Sequence, residues 1–186
     1  MIIDNIIKNR RAVFPAQYID KDIPTTELEQ ILENANWAPT HKKTQPWCFK
    51  VFRGAALERL GTFLADWYKA NTPAEKFKEI KFKKTQKKPS QCACVVAICM
   101  KPDPSLPEWE ELAATACAVQ NMWLSCSVRE IGCYWSTPKS IHDFEHFHPL
   151  EEGERCIGLF YMGYYEGTLT PGTRNPIAER VVWIEE

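Results

Sequence analysis

The chain has 186 residues, enough for one domain with a substantial core, and hydrophobic residues make up 45% of it, which argues against disorder. Its 23 basic and 24 acidic residues leave a net charge of −1, so there is no global electrostatic reason to bind nucleic acid or an anionic membrane. No signal-peptide pattern opens the chain, because Asp4 and Asn5 break its apolar start, and the longest uncharged run, residues 112–128, is shorter than a membrane span and carries Thr115, Gln120 and Asn121.

In chain order, residues 2–10 read as a first helix with Ile3, Ile6 and Ile7 on one face. Residues 12–24, with Pro15 and Pro24, read as irregular. A second helix is expected from Thr26, where Thr26 and Glu29 have capping-box spacing, and Pro39 stops it. Residues 47–52 read as a strand, and residues 55–70 carry Leu57, Leu60, Phe63, Leu64 and Trp67 in helical phase. The lysine-rich stretch 74–88 reads as a helix ended by Pro89; its charge run is expected to be a solvated face, with steering of a phosphate or an anionic substrate as the alternative. Residues 92–100 are continuously apolar, as a central strand requires. One long helix is expected over 110–130, rich in small residues, stopped by Gly132 and suited to close packing at a subunit interface. Short strands follow at 133–136 and 157–164, then a polar tail from Gly172. Helices mixed with at least three strands give an α+β layered class, in one domain spanning 1–186.

Five places could carry chemistry. Arg10-Arg11 closes the first helix with two donor forks suited to a phosphate dianion, or simply complements the helix C-terminus. Pro39-Thr40-His41-Lys42-Lys43 lies between Trp37 and Trp47 and concentrates donors between aromatics; an ordinary polar loop beside two core tryptophans is the alternative. Trp135-Ser136-Thr137 sits at a strand end, where ligands often meet backbone amides and hydroxyls, although a plain strand-to-turn passage fits as well. Arg174 in the tail is either a further phosphate ligand or a surface side chain. His142, His146 and His148 have a spacing seen in metal ligands, but a solvent-facing polar helix is the expectation, and no metal is assigned. The eight cysteines form no C-x-x-C pair and mostly sit in apolar runs, so reduced thiols and a cytoplasmic location are expected. G-x-G-x-x-G, P-loop, G-x-S-x-G and H-E-x-x-H motifs are all absent from the sequence.

These segments, in this order, resemble the nitroreductase superfamily, and most closely its small members. The matching residues are Arg10-Arg11-Ala12, Ala38-Pro39 through Gln45-Pro46-Trp47, the helix over 110–130, Gly132 to Trp135, and Gly158 to Gly163. The resemblance covers nearly the whole chain. It implies a three-layer fold with a central mixed or antiparallel sheet flanked by helices, in an intertwined homodimer. It implies bound FMN at the subunit interface, reduced by NADH or NADPH and oxidised in ping-pong fashion by a small electron-poor acceptor such as a nitroaromatic, quinone or enone. By that resemblance Arg10, Arg11, Ala12 and Arg174 hold the phosphate, Pro39, Thr40 and His41 reach the flavin from the partner subunit, and Trp135, Ser136 and Thr137 lie beside the ring. No side chain is assigned as a catalytic nucleophile or base; the cofactor performs the redox chemistry. The chain departs from the family pattern at Ala12, where serine is usual, at Phe14, where many relatives are basic, and at Trp37, where some carry arginine. Lys42 or Lys43 would then be the substitute for positive charge near flavin N1. Two rival functions remain at this point: a flavin-binding protein without reductase activity, and a metal-binding structural module.

Overall fold

A computed structural model describes residues 2–185. Four strands, β1 (Trp47–Phe52), β2 (Cys94–Met100), β3 (Ile131–Ser136) and β4 (Arg155–Tyr164), form one antiparallel sheet in the order β1-β2-β4-β3. The mixed sheet left open by the family pattern is thus resolved as wholly antiparallel. β2 is buried at every position because it lies inside the sheet and both its faces are covered. Its side chains alternate between two cores, as the strand period requires. Cys94, Val96 and Ile98 point into one, and Val95, Ala97 and Cys99 into the other.

The first core is closed by α2 (Thr25–Asn36) and α5 (Glu108–Ser127), which contribute Leu28, Ile31 and Ala35 and Ala114, Ala118, Val119 and Met122. The second is closed by α3 (Ala55–Ala70), through Leu57, Leu60 and Leu64, and by a 3₁₀ segment, Lys139–His146, through Ile141 and Phe144. A short α4 (Glu79–Lys87) packs on α3 so closely that a Cβ at Gly61 would collide with the Gln86 carbonyl. The result is the expected three-layer α+β arrangement.

Several boundaries differ from the expectation for physical reasons. α2 begins at Thr25 with Pro24 at the N-cap, and no side chain caps it, so the Thr26–Glu29 capping box does not form. The lysine-rich stretch splits into a 3₁₀ turn, Ala74–Lys76, and α4, because Phe77 adopts an extended backbone and stacks on Tyr68 at 5.6 Å. Gly132 does not stop α5. The reversal is made by Glu130 at φ 56°, and Gly132 lies inside β3, where a Cβ would be 2.8 Å from Val13. That close approach lets Val13 donate its N–H to the Cys133 carbonyl at 3.1 Å and cover the outer edge of β3. The small residues Ala114, Ala118 and Cys126 of α5 face the sheet, so they set the distance between two layers of this chain. Among the described residues no helix is long and apolar enough to cross a membrane.

Candidate cofactor site

α1 (Ile2–Asn9) ends where Arg10 and Arg11 begin. The two arginines do different things. Arg11 donates to the carbonyls of Lys8 (2.7 Å), Arg10 (2.8 Å) and Thr170 (3.1 Å), tying the helix end to the tail. Arg10 makes no side-chain hydrogen bond among the described residues; its guanidinium rests 4.4 Å from the centre of the Trp123 ring. Burial lowers the Arg10 pKa, opposed by Cys133 and reinforced by the like charges of Arg174 and Arg11. Arg11 and Arg174 thus both lie within electrostatic reach of Arg10, and among the described residues no carboxylate pairs with any of the three. Like charges kept together without a counter-ion are costly, so this corner is suited to receive an anion. Ala12 is exposed beside them and adds no side-chain donor.

Trp123 links this corner to β3. Its indole N–H donates to the Arg11 carbonyl (3.1 Å) and its ring meets Phe160 edge-on at 5.6 Å. Phe160 is the cross-strand partner of Trp135. The Trp135 indole occupies the space left by the missing side chain of Gly158, where a Cβ would lie 2.7 Å from Cδ1. Its Nε1 is buried without a hydrogen-bond partner. A buried unpaired donor costs roughly 1–3 kcal/mol, here borne by an indole seated against the Gly158 backbone. Ser136 points to the opposite face of the sheet, and Thr137 is exposed at the strand end.

Pro39, Thr40 and His41 lie elsewhere. They enter a 3₁₀ turn, His41–Lys43, that packs on the start of α5. His41 Nδ1 donates to Glu110 at 2.5 Å, leaving Nε2 available. Thr40 and Thr44 hydroxyls meet at 2.9 Å, and Thr44 donates to Glu111 at 2.7 Å. Glu111 is fully buried and also accepts from the Asp103 amide at 3.0 Å. The loop takes left-handed φ at Lys42 (48°), Lys43 (59°) and Gln45 (49°) without a glycine. Such conformations cost of order 1 kcal/mol or more each and cluster at ligand-binding loops. From Glu110 to Trp123 is thirteen residues of α5, roughly 20 Å at the helical rise per residue. Within the chain, then, the His41 turn and the arginine corner are not brought together. Trp47 is core, as its alternative reading had it, whereas Trp37 is 79% exposed and donates to Glu33.

A family model, the Nitroreductase family, matches residues 7–164. The chain belongs to the Nitroreductase family. YfhC of Bacillus subtilis strain 168, whose name reads "Putative NAD(P)H nitroreductase", is 25% identical over 183 residues, covering 96% of this chain and 92% of that one. The crystal structure of a nitroreductase-like family protein from Bacillus cereus superimposes with a TM-score of 0.83 at 28% identity, covering 99% of this chain and 96% of that one. A nitroreductase with bound FMN from Bacteroides fragilis has the same fold, with a TM-score of 0.74 at 20% identity over 98% of each chain.

Within this family member one cation beside the strand end escaped the sequence reading. Lys88, the last of the lysine run, lies with its ammonium 4.6 Å from the centre of the Tyr134 ring and 4.3 Å from that of Tyr161, in contact with the Tyr134 hydroxyl. Phe14 packs on the other side of Tyr134 at 4.8 Å. Lys88 and Ser136 line the same cavity of about 640 Å³. Only the pairing of β3 with β4, some 50 residues away along the chain, places Lys88 there; the one signal in sequence is that it ends the run at Pro89. Lys42 and Lys43 are on the His41 turn, away from this corner of the protomer. The three histidines do not converge: the 3₁₀ segment holding His142 and His146 is kinked at Asp143, and His148 packs edge-on against Phe52 at 5.6 Å. Among the described residues no group of three or more His, Cys, Asp or Glu side chains is arranged to hold a metal ion.

Proposed function

We infer that the chain, as a single domain over residues 1–186, is an FMN-dependent oxidoreductase that carries hydride from NADH or NADPH to a small electron-poor acceptor. The observation that carries this reading is the cluster of Arg10, Arg11 and Arg174, which no carboxylate pairs among the described residues, linked through Trp123 and Phe160 to Trp135. A flavin mononucleotide fits that donor set: a dianion for the guanidiniums, and a flat polar-edged ring for an aromatic surface. Arg10, Arg174 and the backbone of Ala12 would hold the phosphate, with Arg11 bracing the corner. Trp135, Ser136 and Thr137 would border the ring, and Lys88 would stand where Phe14 supplies no charge. When bound, FMN supplies two-electron hydride chemistry in alternate half-reactions, reduced by the nicotinamide and oxidised by the acceptor. For a nitroaromatic the net change is ArNO₂ + NAD(P)H + H⁺ giving ArNO + NAD(P)⁺ + H₂O.

Pro39, Thr40 and His41, set off along α5, would serve the site of a second copy in a homodimer. Apolar exposure supports that assembly. Ile2, Ile3 and Ile7 on α1, Trp109 and Leu112 on α5, and Val182, Trp183 (83% exposed) and Ile184 in the tail lack cover. All eight cysteines are free thiols, which favours a reducing, cytoplasmic setting.

The absorbance spectrum of the purified protein tests the reading. An oxidised-flavin band, bleached anaerobically by NADH or NADPH and restored by a nitroaromatic or quinone, is expected. A colourless protein that refuses added FMN would overturn it, and a flavin band that no nicotinamide bleaches would reduce it to flavin binding alone.

A further inference from the structure

Exposed lysines of the lysine-rich stretch converge on one cavity. Lys76, Lys78, Lys81, Lys88 and Lys139 all line the 640 Å³ cavity that opens beside Ser136, and no carboxylate lines it. None of the five forms an ion pair among the described residues. Two nearby carboxylates are engaged: Asp143 accepts from the Trp67 indole at 2.5 Å, and Glu79 pairs with Lys83 at 3.6 Å. A chain with a net charge of −1 thus gathers a cavity whose charged lining residues are all cationic. A cleft lined by one sign of charge raises the local concentration of the opposite sign.

The cavity is also aromatic and held in place. Trp67, Tyr68 and Tyr161 form its walls. The Tyr68 hydroxyl accepts the Lys78 backbone N–H at 3.1 Å, and the Tyr68 ring stacks on Phe77 and lies 4.6 Å from the Lys81 ammonium. These contacts pin the entry to α4 onto α3, so the lysines are presented by a built wall. Lysine ammoniums are compact, rotatable donors that tolerate varied positions of an acid group better than fixed guanidinium forks do. The volume lies within the range of small-molecule pockets, so an aromatic molecule is readily admitted.

We propose that this cavity is the acceptor subsite of the oxidoreductase and that it selects anionic aromatic acceptors, nitroarenes or quinones bearing a carboxylate or sulfonate, with Lys76, Lys78 and Lys81 as specificity-determining residues. This rests on the flavin reading above and adds the substrate class. Two acceptors with the same ring, 4-nitrobenzoate and its methyl ester, differ by one charge and test it. The holoprotein is compared with the triple variant Lys76→Gln, Lys78→Gln, Lys81→Gln, after its flavin spectrum shows it loaded. The ratio of kcat/KM for the acid over the ester is expected to fall at least tenfold, through KM for the acid. Equilibrium dialysis of 4-nitrobenzoate against holoprotein should show the same loss of affinity. Raising the ionic strength from 0.05 to 0.5 M should shrink the wild-type ratio about as the variant does, since the Debye length falls below about 5 Å. A ratio and an affinity both within twofold of wild type would overturn the proposal. So would an unchanged ratio with KM for NADPH raised tenfold, which would assign the lysines to the donor's phosphates. Failure of the underlying flavin reading is told apart by a colourless protein at the outset.

Discussion

Replacing Arg10 alone separates two guanidiniums that the sequence presents as equivalent. Arg10 lies on Trp123 with no carbonyl to hold, whereas Arg11 is committed to three backbone carbonyls. A hydrogen bond to a charged group contributes about 1.5–3 kcal/mol, and 1.4 kcal/mol is a factor of ten in a dissociation constant. Arg10→Ala is therefore expected to weaken FMN binding about 10- to 150-fold with little change in folding. Arg11→Ala is expected to weaken it less than about tenfold, because most of that side chain's donors face the protein. Its main effect should be to free the tail at Thr170, where a Cβ on Gly172 would be 2.8 Å from the Arg11 guanidinium carbon. Deflavinated protein titrated with FMN, following flavin fluorescence, measures the first effect; limited proteolysis after Tyr165 measures the second. Binding by Arg10→Ala within threefold of wild type, or a larger loss for Arg11→Ala in a protein with an intact tail, would refute the division of labour.

Gly158→Ala would force the Trp135 indole from its seat; overpacking of this kind costs about 1–3 kcal/mol, seen as a lower midpoint in urea. Trp135→Phe removes the buried orphan donor, so the flavin-free protein is expected to be no less stable than wild type while binding flavin differently. Glu111→Ala leaves Thr44 and the Asp103 amide without their buried acceptor, at about 1–3 kcal/mol for each group left unpaired, and should loosen the His41 turn, detectable by hydrogen exchange. Burial pushes the Cys92 and Cys94 thiols up to about 12 from 9.0. The unfolded chain therefore ionises between about pH 9 and 12 while the folded one does not, so this contribution is whole below pH 9 and is lost as pH rises. Denaturation midpoints should fall between pH 8 and 10.5, and iodoacetamide at pH 8 should label the exposed Cys117 well before the buried thiols.

Local pattern carried much of the architecture. The unbroken apolar run of β2 announced an interior strand, and the phase of Leu57, Leu60 and Leu64 announced α3, because burial imposes those periods directly. What depended on distant partners was not legible. Gly132 looked like a helix stop until Val13 proved to need its missing side chain. The small residues of α5 divide between two faces, Ala114, Ala118 and Cys126 toward the sheet and Ala113 and Cys117 outward, a division set by packing across the layers. At the candidate site, Arg10, Arg11 and Trp135 were visible as motif positions, but nothing local distinguishes a guanidinium lying on an indole from one bonded to carbonyls. Lys88 was hidden in a charge run, and only sheet pairing brings it beside Tyr134 and Ser136.

The twenty residues of α5 carry the His41 hook at one end and the Trp123 perch at the other. If two such rods lie about a twofold, each prosthetic group becomes a cross-brace riveted to both chains. Occupancy and self-association are then a single equilibrium, and reciprocity follows: dilution should bleed pigment from the protein, and excess flavin should drive separated chains back together.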